Sequence, residues 1–475
     1  MTATAGAAAP GPGGPGGAPP VQSVTAVVGV LVMFEVVSGF LQAGVAPMLP
    51  GIADHLGISD SAVTWVVSVQ LLAAAVGVPA FGRLGDLYGH RRMLRVALVS
   101  VAIGSVLVAL APNLAVMLVG RFLQGPLAAL LPLEISLVRD RLPVELARRA
   151  IARLIGALTF GGLLGGVGMG VADAAFGDVR LVLAVPAVLA VLCVPVAWTL
   201  VPEAVTRATG RVDWPGIALL ALAVVGVLAG VSLAGERGWT DGAALGCLAL
   251  ALAVLAAWAV MELRVRQPLV DLRAMAGRHV APYYFASFAF GVVYFGVLSP
   301  NSTFMATDPD EAGYGFGMSA LAISMVTLPA LACSIATSAQ TARLAAKVGY
   351  RNALIGAYAL VAAGFAGKVV AHDEIWQFVV ETMLLGAGLG VALSAMPTVI
   401  AEASDPSRTG VSTALYNNVK TIGGAVAGGV FGTVLAAAAG SEHPSEGAYM
   451  TVWFVSGLCA LLAAGLAFLA GGRRA

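Results

Sequence analysis

The strongest constraint on this chain is a succession of fourteen mostly apolar runs, separated by short charged or Gly/Pro-rich breaks. An α-helix rises about 1.5 Å per residue, so about 20 apolar residues cross the hydrocarbon of a bilayer. The runs cover residues 24–46, 62–82, 93–111, 114–138, 151–172, 181–202, 215–235, 242–261, 279–300, 318–341, 352–371, 377–401, 410–439 and 449–470. Only 11% of the residues are charged, against about 25% in soluble domains, so most of the surface has to face lipid. Within lipid, each backbone N–H and C=O must be bonded inside its own segment. The sequence therefore predicts an all-α membrane protein. A net charge of +1 gives no electrostatic basis for binding nucleic acid.

The 26 lysines and arginines set an orientation. With the N-terminus in the cytoplasm, the inward loops, span ends and C-terminal tail hold 21 of them, among them Arg83, Arg91, Arg92, Arg95, Arg139, Arg141, Arg148, Arg149 and Arg153. The outward loops hold Arg180 and Arg237, and Arg121, Lys368 and Lys420 lie inside spans. This positive-inside asymmetry predicts a multi-pass protein of the inner (cytoplasmic) membrane with both termini cytoplasmic. Residues 1–22 are rich in Ala, Gly and Pro and carry no charge. They lack the basic start of a secretory signal and read as a disordered cytoplasmic tail. Cys193, Cys247, Cys333 and Cys459 all fall in apolar runs without a CxxC, so neither a disulfide framework nor a zinc site is expected. The five histidines are not spaced for metal, and no cofactor is expected.

The chain repeats itself. Gly82-Arg83-Leu84-Gly85-Asp86-Leu87-Tyr88-Gly89-His90-Arg91 follows the second run, and Ala342-Arg343-Leu344-Ala345-Ala346-Lys347-Val348-Gly349-Tyr350-Arg351 follows the tenth. Arg-Leu, Gly and Arg recur 260 residues apart, and the same offset carries the first six runs onto the last six. The predicted organisation is a tail (1–22), a six-helix bundle (23–202), a two-helix insertion (203–278) and a second six-helix bundle (279–475).

Three motifs give this plan a family likeness. Gly82–Leu94 is similar to GxLxDxxGxRxxL, with Asp86 and Gly89 in place and Leu87 where a basic residue is frequent. Arg121-Phe122-Leu123-Gln124-Gly125 in the fourth span resembles RxxQG. Gly410–Ala425, with Asn417, Lys420, Gly423 and Gly424, resembles an N–R–GG segment with Lys in place of Arg. The chain thus resembles the fourteen-span drug:proton antiporters of the major facilitator superfamily over nearly its whole length. The resemblance implies two bundles around a midplane site, with spans 1, 4, 9 and 12 lining the cavity. It implies a gate at Gly82, Asp86, Gly89, Arg91 and Arg92, where Asp86 touches the opposite half. It also implies a proton role for Arg121. The chain departs from the family twice: Gly162 replaces the proline of the fifth-span GPxxGG, and Leu41 stands where the first span usually carries an Asp.

A charge inside a span costs about 2.5–3.5 kcal/mol on insertion scales, which marks it as functional by default. Glu35, Glu134 and Glu381 all lie on the expected cavity spans. Glu35 is near mid-span and has no evident partner in the sequence, so it is the first choice for the protonatable group. Glu134 lies thirteen residues beyond Arg121, about 20 Å along one helix, towards the cytoplasmic end. Glu381 shares its depth with Lys368, so either a proton role or a hairpin salt bridge fits it. The ninth span holds seven of the 33 aromatic residues. Tyr284, Phe288 and Phe295 form one helical stripe, and Tyr283, Phe290 and Tyr294 another. One stripe, with Gln124 and Asn417, is expected to line a substrate cavity. Gly161/Gly165, Gly162/Gly166/Gly170 and Gly424/Gly428/Gly432 read as small-residue ridges for close helix contact. Asn301-Ser302-Thr303 fits a glycosylation sequon, a weak pattern.

The expected function is a secondary active transporter, not an enzyme: a monomer exporting small amphipathic or aromatic molecules against protons. A uniporter or importer is the alternative, favoured by Leu41 and Gly162. A transport-like sensor would need a soluble output domain, and no loop is long enough for one.

Overall fold

In a computed structural model of the chain, residues 21–201, 212–237, 240–265, 268, 270, 272–275, 277, 280–403, 409–437 and 443–470 are described. The uncharged tail expected at 1–22 falls almost entirely outside them. The described residues fold into fourteen long helices: α1 (Val21–Ala43), α2 (Asp60–Tyr88), α3 (His90–Ala109), α4 (Leu114–Arg141), α5 (Val144–Phe176), α6 (Val179–Leu200) and α7 (Trp214–Arg237), followed by α8 (Gly242–Glu262), α9 (Ala281–Ala306), α10 (Ala320–Val348), α11 (Tyr350–Val370), α12 (Ile375–Ala403), α13 (Thr409–Ala437) and α14 (Glu446–Leu469). Thirteen segments are long and apolar enough to cross a membrane, and α7 adds the shorter apolar stretch Trp214–Val227. Each predicted run has its helix.

Local chemistry sets the ends. Ser59 and Ser319, 260 residues apart, cap α2 and α10 by accepting from Ala62 and Ala322 N–H. Asn113 does the same for α4, using the short polar side chains that suit N-caps. Gly89 and Gly349 join α2 to α3 and α10 to α11 at φ +102° and +82°, a backbone region that side chains disfavour.

The repeat extends to packing. α1 lies on α5 and α3 on α6, while α9 lies on α13 and α11 on α14. Arg91 and Arg95 donate to the last carbonyls of α6 (Arg95 Nε to Ala197 O, 3.1 Å; Arg95 Nη2 to Trp198 O, 2.7 Å), with the Arg95 guanidinium over the Trp198 ring. Arg351 does the same at the end of α14, donating to Ala467 and Phe468 carbonyls over the Phe468 ring. A cation at a helix C-terminus satisfies orphan carbonyls and the dipole together. The α7–α8 pair packs on itself, and α7 also leans on α2 and α13.

The glycine ridges form seams. A Cβ on Gly161 would fall 2.0 Å from Val36 O, and one on Gly165 2.3 Å from Phe40 O, so α1 and α5 meet backbone to backbone. The halves meet through α2–α13 and α5–α10. Their contacts cluster at the face opposite the Arg-rich loops. Ser324 donates to Gly166 O (2.7 Å), the Thr64 and Ser299 hydroxyls lie 3.4 Å apart, and the Tyr449 hydroxyl donates to Asp60 (3.5 Å). Leu250, Leu252, Val188 and Leu462 project outward, as lipid-facing side chains must.

Candidate functional site

The intramembrane charges divide into four places. Glu35 of α1 and Glu134 of α4 are both 0% exposed, and their carboxyl groups lie within hydrogen-bonding reach of each other, with the Cys193 thiol of α6 nearby. None of their four oxygens finds a donor among the described residues. α4 is not a continuous helix: Leu114–Leu123 gives way to a 3₁₀ turn, Gly125–Ala129, before Leu130–Arg141. Gly125 presses on α2 there, where a Cβ would sit 2.3 Å from Ala73 Cβ. The turn re-aims the second part of α4, so Glu134 points into the first bundle at Glu35 rather than out to the cytoplasmic interface. The pair is walled by Leu31, Phe34, Leu130 and Leu133 rather than facing an open cavity.

Arg121 and Gln124 also lie inside that bundle. The Arg121 guanidinium donates to Val66 O of α2 (Nε, 2.7 Å) and to Gln124 Oε1 (2.7 Å), and Gln124 in turn donates to Ser105 of α3 (2.9 Å). Gln124, expected in the cavity, is thus buried in a brace across α2, α3 and α4, and the described partners of Arg121 are a carbonyl and an amide.

At the other end of the second half, the Lys368 ammonium is fully buried over the Phe378 ring and near Trp453. Glu381 is the acid whose charge acts on it, yet Lys368 Nζ has no hydrogen-bond partner among the described residues. Of the two readings left open for Glu381, the hairpin salt bridge is not formed; an aromatic cradle holds the ammonium instead. Nearby, His372, Asp373 and Glu446 bring ligand-type atoms within 4.8 Å of one another, a grouping that sequence spacing did not suggest. His372 Nε2 lies 2.8 Å from Glu446. Asn301 of the sequon is inside α9, where it accepts from Trp453 Nε1 at 2.9 Å.

The aromatic span divides as well. Tyr283, Tyr284 and Phe290 are buried in the core of the second half. Phe288 and Phe295 are half-buried against α13, where the Phe288 carbonyl meets Gly423 and the Phe295 ring meets Gly424. Tyr294 is enclosed by protein yet 37% exposed, so it opens onto interior space. Residues 292–296 form a π turn, a feature frequent at functional sites, and this breaks the α-spacing from which the stripes were read. Tyr294 stacks on Phe290 with ring centroids 5.5 Å apart. Asn417, also exposed, accepts from Lys420 Nζ at 3.1 Å.

The expected gate sits at the basic face. The Asp86 side chain is 49% exposed and pairs with His90 of its own loop at 3.2 Å, not with the other half. Gly82 has open space where a Cβ would go, and Arg92 is exposed. Arg91 belongs to the α6 clamp. The halves touch at the opposite face, which leaves this loop apart from its expected partner.

Residues 31–428 match the family profile described as Major Facilitator Superfamily. The chain belongs to the Major Facilitator Superfamily. It is therefore a transporter, not an enzyme. This major facilitator is 27% identical to a probable actinorhodin transporter of Streptomyces coelicolor over 91% of its own length and 76% of the relative. It is 27% identical to the puromycin resistance protein pur8 of Streptomyces alboniger over 81% and 76%, and 23% identical to multidrug resistance protein 3 of Bacillus subtilis over 82% and 75%. Among solved structures it resembles the nucleoside transporter NupG (TM-score 0.64, 13% identity, 95% and 100% covered) and the inward-open xylose transporter XylE from E. coli (TM-score 0.64, 14% identity, 94% and 96% covered).

Proposed function

We propose that this major facilitator exports small aromatic or amphipathic molecules from the cytoplasm across the inner membrane in exchange for protons, acting as a monomer with both termini cytoplasmic. Relatives named for actinorhodin, puromycin and multidrug resistance support the cargo class. The observation that carries the proton half is the donorless carboxyl pair Glu35–Glu134. An ionised carboxylate only accepts hydrogen bonds, and two buried carboxylates side by side repel strongly. One shared proton makes one carboxyl a donor to the other and removes both penalties. That proton can leave only when a conformational change admits water or another donor, which ties its release to the transport cycle. Glu35 thereby takes the place of the acid missing at Leu41.

The test uses proteoliposomes with an imposed pH gradient and actinorhodin, puromycin or tetracenomycin C as trial cargo. In Glu35→Gln the amide donates to Glu134 without a proton, so gradient-driven uptake should be lost while cargo counterflow persists. Full gradient-driven uptake in Glu35→Gln and Glu134→Gln would remove the pair from coupling. If Glu381→Gln also retains it, facilitated transport is the better reading.

A further inference from the structure

Lys420 lies mid-way along α13, eleven residues or about 16 Å of helix from its start at Thr409. Its side chain is half-buried. Its Nζ donates to Asn417 Oδ1 at 3.1 Å and faces the rings of Tyr416 (5.2 Å to centroid) and Phe290 (5.9 Å). No carboxylate is among its described partners. Every other intramembrane charge named above is buried in a brace, a pair or a cradle. Lys420 instead lies beside the exposed Asn417 and shares Phe290 and Tyr416 with the partly exposed Tyr294. Cation, amide and phenol ring thus border one interior space. An ammonium kept within the span with no counter-ion among the described residues is costly, and an anion arriving in that space supplies one. A flat ring beside Tyr294 adds stacking area.

We propose that the cargo is an aromatic organic anion, its carboxylate or acidic phenolate held by Lys420 and its ring system laid against Tyr294. The inference rests on the export reading and names the cargo class for it. A formal charge makes this contact a charge-assisted hydrogen bond, about twice as strong as a neutral one. A neutral isostere therefore forfeits about half of it.

The test measures binding to the purified full-length protein in lipid nanodiscs, with no gradient and no transport, so its outcome is separate from that of the proton-coupling assay. Three probes share one ring system: anthracene-2-carboxylate, anthracene-2-carboxamide and 2-(aminomethyl)anthracene. The carboxylate should bind at least about tenfold more tightly than the amide, and the ammonium should bind weakest. Lys420→Met should bring carboxylate and amide to within about twofold of each other, and Lys420→Arg should restore the preference. Equal binding of the three probes by the wild type overturns the proposal. So does a carboxylate preference that survives Lys420→Met, and so does a folded wild-type protein, judged by its melting transition, that fails to bind the carboxylate.

Discussion

The seam between α1 and α5 offers the sharpest perturbation, because two glycines five residues apart differ completely in surroundings. A methyl group at Gly161 would lie 2.0 Å from Val36 O and 2.7 Å from Val36 C, whereas one at Gly166 meets nothing within 4 Å. An unstrained carbon–oxygen contact is on the order of 3.5 Å, so relieving the Gly161→Ala clash takes a separation of about 1.5 Å, and a gap of only about 0.5–1 Å already forfeits about a quarter to a half of each contact's attraction. Overpacking of this kind costs about 1–3 kcal/mol, equivalent to roughly 2–12 °C in melting temperature for a unit near 200 residues. Tryptophan-fluorescence melting of the purified protein in one detergent is the assay, with Gly166→Ala as the internal control. If Gly161→Ala melts with Gly166→Ala and the wild type, the two helices are not in backbone contact and the small-residue account of this seam is wrong.

Arg121→Met should lower the same transition by the equivalent of about 3 kcal/mol, because Val66 O and Gln124 lose a charged donor in a buried place. An unchanged melting temperature with lost transport would make Arg121 a coupling residue instead of a brace. Asp86→Asn removes one side of an exposed pair and should shift stability by no more than about 0.5 kcal/mol. Its initial transport rate should fall several-fold if Asp86 meets the other half when that face closes, the role the family resemblance implies for it. Wild-type kinetics in well-expressed Asp86→Asn would leave Asp86 with no gating role.

The sequence made the helices legible because lipid enforces one length and one composition on every span. The repeat was legible because both Arg-rich loops serve the same local purpose: Gly89 and Gly349 turn the chain, and Arg91 and Arg351 tie down a neighbouring helix end. The partnership of Glu35 with Glu134 was not legible, since distance along α4 says nothing of what stands beside it on α1. Its only trace was Gly125-Pro126, a helix-breaking dipeptide that here marks the 3₁₀ turn. The aromatic stripes of α9 misled for a related reason. A π turn at 292–296 changes the angular step between residues, and no pattern of apolar spacing announces it. Lys368 shows a third limit: a buried cation and a nearby acid suggested a bond, but ring faces took the ammonium.

Each arginine clamp closes entirely inside its own half, joining α3 to α6 and α11 to α14. Among the described residues, the arginine tie in the stretch that holds α7 and α8, Arg273 to Leu263 O at the end of α8, stays within that stretch. We propose that this stretch is a cassette, a unit that can be gained or lost as a whole. Because it contains two helices, its presence leaves the sidedness of everything downstream unchanged. A single added helix would turn the second half over in the bilayer and carry Arg351, Arg343 and Lys347 to the wrong side. Parity, more than length, is what such a joint has to preserve.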